Sequence, residues 1–321
     1  MGHGGRRMTH AQIAETITVL EGLHYRRDVQ TTLRTEFDRR LYGRREEIRQ
    51  GVVREGRGIA LLGASGSGKS TVIEHLLKRH PELVLPDPGR ERADVISFRV
   101  PSPASLKEVG RTALTALGYD LKRDRSATII WGIVRELLQK RQTLFLHIDE
   151  VQDLKTSQSK QVIQNVINTL KSLMQHPEWP ISIILSGMPE VRKMLNFDPQ
   201  LARRFYPIAL RPLSFTGDEE MLRDMVGSYL HKAALPPSSG IYTDEVLMRL
   251  LHAGAYEFGI VIEIIIAGIG EALMAGSDCL LLEHFAMAFR RRTGCYDGLN
   301  PFLAPDYRDI DPRKLFPEWE D

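Results

Sequence analysis

Read by polarity alone, the chain alternates short apolar runs with segments whose apolar residues recur every three or four positions. The runs are GIALLG (58–63), DVISFRV (94–100), TLFLHID (143–149) and ISIILSG (181–187), with YPIAL (206–210) as a fifth. Nearly continuous apolar runs of this length predict strands buried on both faces, as in parallel sheets. Between them, 105–117, 127–139 and 162–174 carry helical periodicity. That order of elements predicts an α/β core, a mostly parallel sheet with helices on both faces.

The flanks read differently. From about Thr9 to Val52 the pattern is helical, with Val29, Leu33, Phe37 and Leu41 at four-residue intervals. Around that stripe lie Arg26, Arg27, Arg39, Arg40, Arg44 and Arg45, which would face DNA, a neighbouring subunit or solvent. From about Thr216 to Arg292 the chain reads as helices throughout, with Gly276 ending the third of them. The stretch 258–269 is the most apolar, but it is short and contains Glu263, so it predicts a buried helix and no bilayer span. The tail from Thr293 is rich in Pro, Asp and aromatics, and either wraps on the domain or orders on a partner. The expected division is a helical extension (1–52), the α/β core (53–213), a helical domain (214–292) and a tail (293–321).

Composition narrows the class. Hydrophobic residues at 42% suffice for a buried core, and a formal charge of +2 confines any basic surface to a local patch. Cys279 and Cys295 make at most one bridge and no metal framework. With basic residues but no apolar segment near the N-terminus, this predicts a cytoplasmic protein without a membrane partner.

The chemistry begins at Gly63-Ala64-Ser65-Gly66-Ser67-Gly68-Lys69-Ser70, which fits GxxxxGK[ST] with an apolar run before and a helical pattern after. Glycines let the backbone wrap closely and turn its N–H groups onto phosphate oxygens, and the helix start adds its own unpaired donors. Lys69 is placed for the β- and γ-phosphates of ATP, Ser70 for Mg2+, and Thr71 for a further phosphate contact. The run LFLHIDE (144–150) ends in two adjacent carboxylates, costly in an apolar setting unless something uses them. Asp149 would reach the magnesium shell and Glu150 would orient and activate the attacking water.

Spacing orders the sheet. Between Lys69 and Asp149 there is room for a further strand (94–100), expected away from the phosphate loop. The Asp149 strand is then separated from the loop strand by another, the 181–187 run, whose end brings Ser186 near the γ-phosphate. Arg203 and Arg204 precede the last strand, and one of them would project into the next subunit's site as an arginine finger or else form a local salt bridge.

GASGSGKST (63–71), HIDE (147–150), SGMPE (186–190), LARRF (201–205) and NPF (300–302) together resemble the TniB/TnsC family. These are AAA+ ATPases of transposition systems, related more distantly to the Mu target-selection ATPase and the IstB helper proteins. The resemblance spans roughly residues 41–302. It implies an AAA+ P-loop NTPase of the ASCE type, with a five-stranded sheet followed by a small helical lid. It also implies a ring or helical filament of this chain on double-stranded DNA, which recruits and stimulates a DDE-type transposase and hydrolyses ATP. By position, Lys69, Ser70 and Thr71 would hold nucleotide and magnesium, Asp149 and Glu150 would be the Walker B acids, Ser186 would stand at sensor 1, and Arg203 or Arg204 would be the finger. No arginine occupies the sensor-2 region at 255–260. Two other readings use the same core: a helicase loader or replication initiator, and a nucleotide-gated interaction module with vestigial hydrolysis.

Lys122, Arg123 and Arg125, and Arg290 to Arg292, are the candidate phosphate-contacting clusters, the latter also suited to a helix C-terminus. His147, inside an apolar run, is expected to be a core residue. Trp131, Trp179 and Trp319 have no spacing that suggests a stacking platform.

Overall fold

The computed structural model describes residues 8–87, 89–102, 104–155 and 160–314. Contacts divide the chain into two compact units, Arg26–Leu210 and the segments on either side of it.

The first unit runs α2 (Asp28–Arg49), β1 (Gly58–Leu62), α3 (Lys69–Arg79), β2 (Val95–Arg99), α4 (Leu106–Ala116), α5 (Ala127–Lys140), β3 (Phe145–Asp149), α6 (Lys160–Met174), β4 (Ser182–Gly187), α7 (Val191–Asn196), α8 (Pro199–Ala202) and β5 (Phe205–Ala209), with α1 (His10–Glu21) preceding it in the chain. Its five strands are parallel in the order β2-β3-β4-β1-β5. The expected order holds: β4 separates the acid-bearing β3 from β1, and β2 lies at the edge. Each of the three central strands is buried along its whole length. Pro207 sits in edge strand β5, where a missing N–H costs no ladder bond on the open side.

Successive side chains along each strand feed opposite faces of the sheet. Ala60, Leu62, Ile96, Leu146, Ile148, Ile183 and Leu185 pack with Val109, Ile130, Val134, Ile167 and Leu170 of α4, α5 and α6. Ile59, Leu61, Val95, Phe145 and Ile184 pack with Leu33, Phe37 and Leu41 of α2 and Val72, Ile73 and Leu76 of α3. Phe37 stacks on Phe145 with ring centroids 4.5 Å apart. The four-residue stripe of α2 is therefore core, which leaves its arginines at the margin of the sheet.

Where the sequence reading runs one helical pattern from Thr9 to Val52, the structure breaks it over residues 22–27. The reason is that the two halves serve different cores. Ile13 and Leu20 of α1 join the helical unit, whereas α2 covers the sheet.

The helical unit adds α9 (Phe215–Lys232), α10 (Asp244–Ala253), α11 (Phe258–Ala275) and α12 (Leu282–Thr293). Helix α11 is apolar nearly all round, which places it at the centre of its bundle. It is the one described helix long and apolar enough to cross a bilayer by length and composition, and 61% of that window is buried inside the protein. It ends at Gly276, as the sequence reading expects. Both cysteines are free thiols.

Of the two readings of the tail, the described part, to Lys314, is wrapped on this unit; Trp319 lies outside the described residues. Asn300, fully buried, donates from Nδ2 to the Ala286 carbonyl at 2.8 Å and accepts from the Phe302 amide at 3.0 Å. Phe302 stacks on Phe285 with centroids 5.4 Å apart. The Arg249 guanidinium lies 4.4 Å from the Tyr307 ring centroid and donates to the carbonyls of Pro301 and Ala304. Phe302→Ala is expected to destabilise the helical unit by about 3–5 kcal/mol, since it removes a buried ring and leaves a cavity. Urea unfolding followed by circular dichroism measures it; a midpoint equal to wild type would contradict this packing role.

Candidate nucleotide site

The loop between β1 and α3 is tied at its base, where the Gly63 amide donates to the Gly187 carbonyl at 3.1 Å, and is pinched by Ser67 N–H to Ala64 O at 3.2 Å. Gly68, at φ 89° and ψ 17°, delivers the chain into α3 in a left-handed conformation that costs a side-chain-bearing residue strain. Lys69 is 5% exposed, and its ammonium donates to the carbonyls of Gly63 at 3.0 Å and Ala64 at 2.8 Å. Among the described residues, the amides of Ala64, Ser65, Gly66 and Gly68 donate to no backbone carbonyl, and the buried Ser67 hydroxyl has no partner. Free N–H groups, a buried ammonium and a helix N-terminus are the donors that a chain of phosphates would need. Thr71 lies in the first turn of α3 with its side chain exposed.

At the end of β3, Asp149 gathers two hydroxyls. Ser70 donates to its Oδ2 at 2.9 Å and Ser186 to its Oδ1 at 2.5 Å. The carboxylate and the Ser70 hydroxyl are oxygen donors of the kind magnesium takes, so this set fits a nucleoside triphosphate with its divalent cation.

Behind Ser186 the polar chain continues. Nε2 of His147 lies 2.7 Å from Ser186 Oγ, and Nδ1 lies 2.8 Å from Ser97 Oγ on β2. Because Ser186 spends its proton on Asp149, it must accept from His147. The ring is thus the Nε2–H tautomer, and its Nδ1 accepts from Ser97. Burial pushes the imidazole down to about 4, against the opposing pull of Asp149 and Glu74, which holds it neutral. His147 is therefore in the core, as expected, but as the middle of a serine–histidine–serine–aspartate row.

The unfolded chain takes up this proton near 6.5, and the native ring near 4. Between those values the unfolded state binds more protons, so this contribution to stability is full above 6.5 and is lost as pH falls towards 4. His147→Gln, which does not titrate, should flatten that slope in urea midpoints collected from pH 7 to 4. Identical slopes in the two proteins would contradict the assignment.

Glu150 stands in the left-handed region at φ 56°, unusual for a residue with a long side chain. Its amide donates to Asp149 Oδ1 at 3.0 Å. Its carboxylate accepts from Gln152 Nε2 and lies 3.5 Å from the Arg99 guanidinium. Gln152 in turn accepts from the Met188 amide at 3.0 Å. Gly187 makes room for this bridge, since a Cβ there would stand 2.6 Å from Gln152 Oε1 and 2.8 Å from Val191.

The ends of β1, β3 and β4 thus bring together Lys69, Ser70, Asp149, Glu150 and Ser186. Arg203 and Arg204 stand at the start of β5, the opposite end of the sheet. Arg204 is 4% exposed and bonds the Glu55 carboxylate at 2.7 Å and the Gln200 carbonyl at 2.6 Å. Arg203 is exposed. Sequence reasoning missed Ser97, Arg99 and Gln152. The signal for the first two was two polar residues, two positions apart, in an otherwise apolar run; nothing local marks Gln152. The arginines at the end of α12 are paired: Arg290 with Asp297, Arg291 with Glu271 at 2.9 Å and Arg292 with Glu263 at 2.9 Å.

Several solved structures share this fold. Cdc6p from Pyrobaculum aerophilum matches with a TM-score of 0.52 at 15% identity, over 73% of this chain and 60% of that one. The Aeropyrum pernix ORC1 protein, in complex with DNA, matches at 0.57 and 13% identity, over 85% and 68%. The ORC2 protein of the same organism, in its ADPNP–ADP complexes, matches at 0.56 and 15%, over 83% and 67%. The chain thus spans three-fifths of the Cdc6p length, and at these identities the likeness is one of fold, that of the AAA+ ATPases. Comparison with curated proteins finds no match. The family model of the bacterial TniB protein matches residues 36–215, more than half of the chain and all of the site just described. The chain belongs to the TniB family.

Proposed function

We propose that the protein binds and hydrolyses ATP, that ATP drives it into a head-to-tail assembly on double-stranded DNA, and that this assembly recruits and stimulates a DDE-type transposase at the target in the cytoplasm. The observation that carries the catalytic part is the hydrogen-bonded meeting of Ser70, Asp149 and Ser186 beside Glu150.

In this reading the amides of the 63–68 loop and the Lys69 ammonium bind the phosphates and neutralise their charge. Ser70 and Asp149 hold Mg2+, which supplies Lewis-acid polarisation of the phosphoryl oxygens when bound. Ser186, already aimed at Asp149 by His147, positions that carboxylate. Glu150 accepts a proton from the attacking water once its carboxylate leaves Gln152 and Arg99. Arg203 is the finger. Arg204 is committed to Glu55 within its own protomer, whereas Arg203 is exposed at the end of the sheet remote from its own loop and so acts on a neighbour.

Membership of the TniB family supports the transposition part, and a DNA-bound relative of the same fold supports the DNA part. Lys122, Arg123 and Arg125, which make no ion pair among the described residues, are the cationic group offered to a duplex. The replication-initiator reading draws on the same structural neighbours, but the family match favours transposition. DNA together with ATP and magnesium is expected to shift the protein from monomer to large assemblies in light scattering and to raise phosphate release. Scattering that stays at monomer size under those conditions would remove the assembly from this reading.

A further inference from the structure

A cavity of about 400 Å³ opens in the α/β unit at the end of the sheet remote from the phosphate loop, beside the starts of β1, β4 and β5 and the flank of α2 that carries Glu36, Arg40 and Arg44. Its lining includes seven arginines and three glutamates. The glutamates are already engaged: Glu36 with Arg39 at 3.1 Å and Arg40 at 2.6 Å, Glu47 with Arg44 at 3.3 Å, and Glu55 with Arg204 at 2.7 Å. Hydrogen bonds from Gln175 and Arg204 hold the Glu55 carboxyl below its ordinary range, so it stays ionised and keeps Arg204 occupied. Arg54, Arg57 and Arg203 remain. All three are exposed at the same cavity and make no ion pair among the described residues. Deeper in, the buried Nε atoms of Arg40 and Arg44 have no hydrogen-bond partner among the described residues.

Three guanidiniums without an ion pair among the described residues, of which Arg203 alone also feels the Glu55 carboxylate, surround one concave site and call for a compact ligand with several negative charges on forked oxygens. A single carboxylate would answer one of them, and a duplex backbone spreads its phosphates along a groove instead of into a cavity. A triphosphate has both the charge and the size.

We propose that this cavity is a second triphosphate-binding site, in which Arg54 and Arg57 act with Arg203 on the phosphates of a nucleotide held in a neighbouring protomer's loop. It rests on the head-to-tail reading above and extends it, because the finger becomes one member of a three-arginine clasp. Two members come from the segment leading into β1. A free polyphosphate offers the same chemistry from another source, and the test separates the two.

The first arm uses the full-length Lys69→Ala protein, whose own loop is disabled, titrated calorimetrically with inorganic tripolyphosphate. One site is expected, weakened at least tenfold in Lys69→Ala/Arg54→Gln/Arg57→Gln. The two added changes fall on exposed, unpaired side chains, so the melting temperature should not move. Equal binding in both proteins, or none in the first, would overturn the site whether or not the wild type hydrolyses ATP. The second arm mixes Lys69→Ala, which has an intact clasp, with Arg54→Gln/Arg57→Gln, which has an intact loop. Turnover at least tenfold above the sum of the two alone assigns the ligand to the neighbour's nucleotide. A purely additive mixture beside an active wild type overturns the neighbour as the source and leaves free polyphosphate. An inactive wild type would instead refute the hydrolysis reading while the titration still judged the cavity.

Discussion

Lys69→Ala should weaken nucleotide binding more than a hundredfold while leaving the α/β unit folded. The ammonium is buried and bonds two carbonyls of its own loop, Gly63 and Ala64, so its charge sits within the ring of backbone groups proposed to meet the phosphates. A buried charged hydrogen bond to phosphate is worth about 1.5–3 kcal/mol, and removing the charge from a desolvated site adds to that. About 2.8 kcal/mol already corresponds to a hundredfold in affinity. Part of the lysine's role is also to satisfy the loop carbonyls, so the variant should show a modest fall in melting temperature as well. Titration with a fluorescent ATP analogue in the presence of magnesium measures the main effect. Affinity within threefold of wild type would remove Lys69 from the phosphate site.

Glu150→Gln should separate binding from turnover. The amide keeps the size and the hydrogen-bonding reach of the carboxylate but cannot take a proton, and general-base catalysis is worth about 10²–10⁴ in rate. Nucleotide affinity should stay close to wild type, because Lys69, Ser70 and Asp149 are untouched. Phosphate release should fall by about two orders of magnitude or more, and the ATP-bound assembly should accumulate on DNA. Glutamine has the same shape and branching as the glutamate that occupies this left-handed position, so a loss of folding is not expected to mimic the effect. Turnover within a few-fold of wild type would assign the base elsewhere.

Most of the sheet was legible because its signals are local. Five apolar runs, a glycine loop and an acid pair mark β1 to β5, and the spacing between Lys69 and Asp149 leaves room for the edge strand that β2 supplies. The partners of the acids were less legible, for a physical reason. Ser97 and His147 lie fifty residues apart in sequence and meet only because their strands pair side by side. A polar residue in an apolar strand announces that something satisfies it, but only the sheet register says what. Gln152 reaches Glu150 through a turn that no periodicity describes. The break between α1 and α2 was hidden for a similar reason: both are amphipathic, and which apolar face a stripe seeks is decided by tertiary packing. Arg203 and Arg204 looked equivalent as neighbours in sequence, and only burial beside Glu55 tells them apart.

The allegiance of α1 has a consequence for how the protein is made. Ile13 and Leu20 pack in one core with residues of α11, more than two hundred positions later in the chain. At about 5–20 residues per second of synthesis, the apolar face of α1 waits on the order of ten seconds or more for its partner. Meanwhile the intervening α/β unit emerges whole and is free to fold first. Until then Ile13 and Leu20 lack their α11 partners, so the core they share closes only after the whole α/β unit between them has been made.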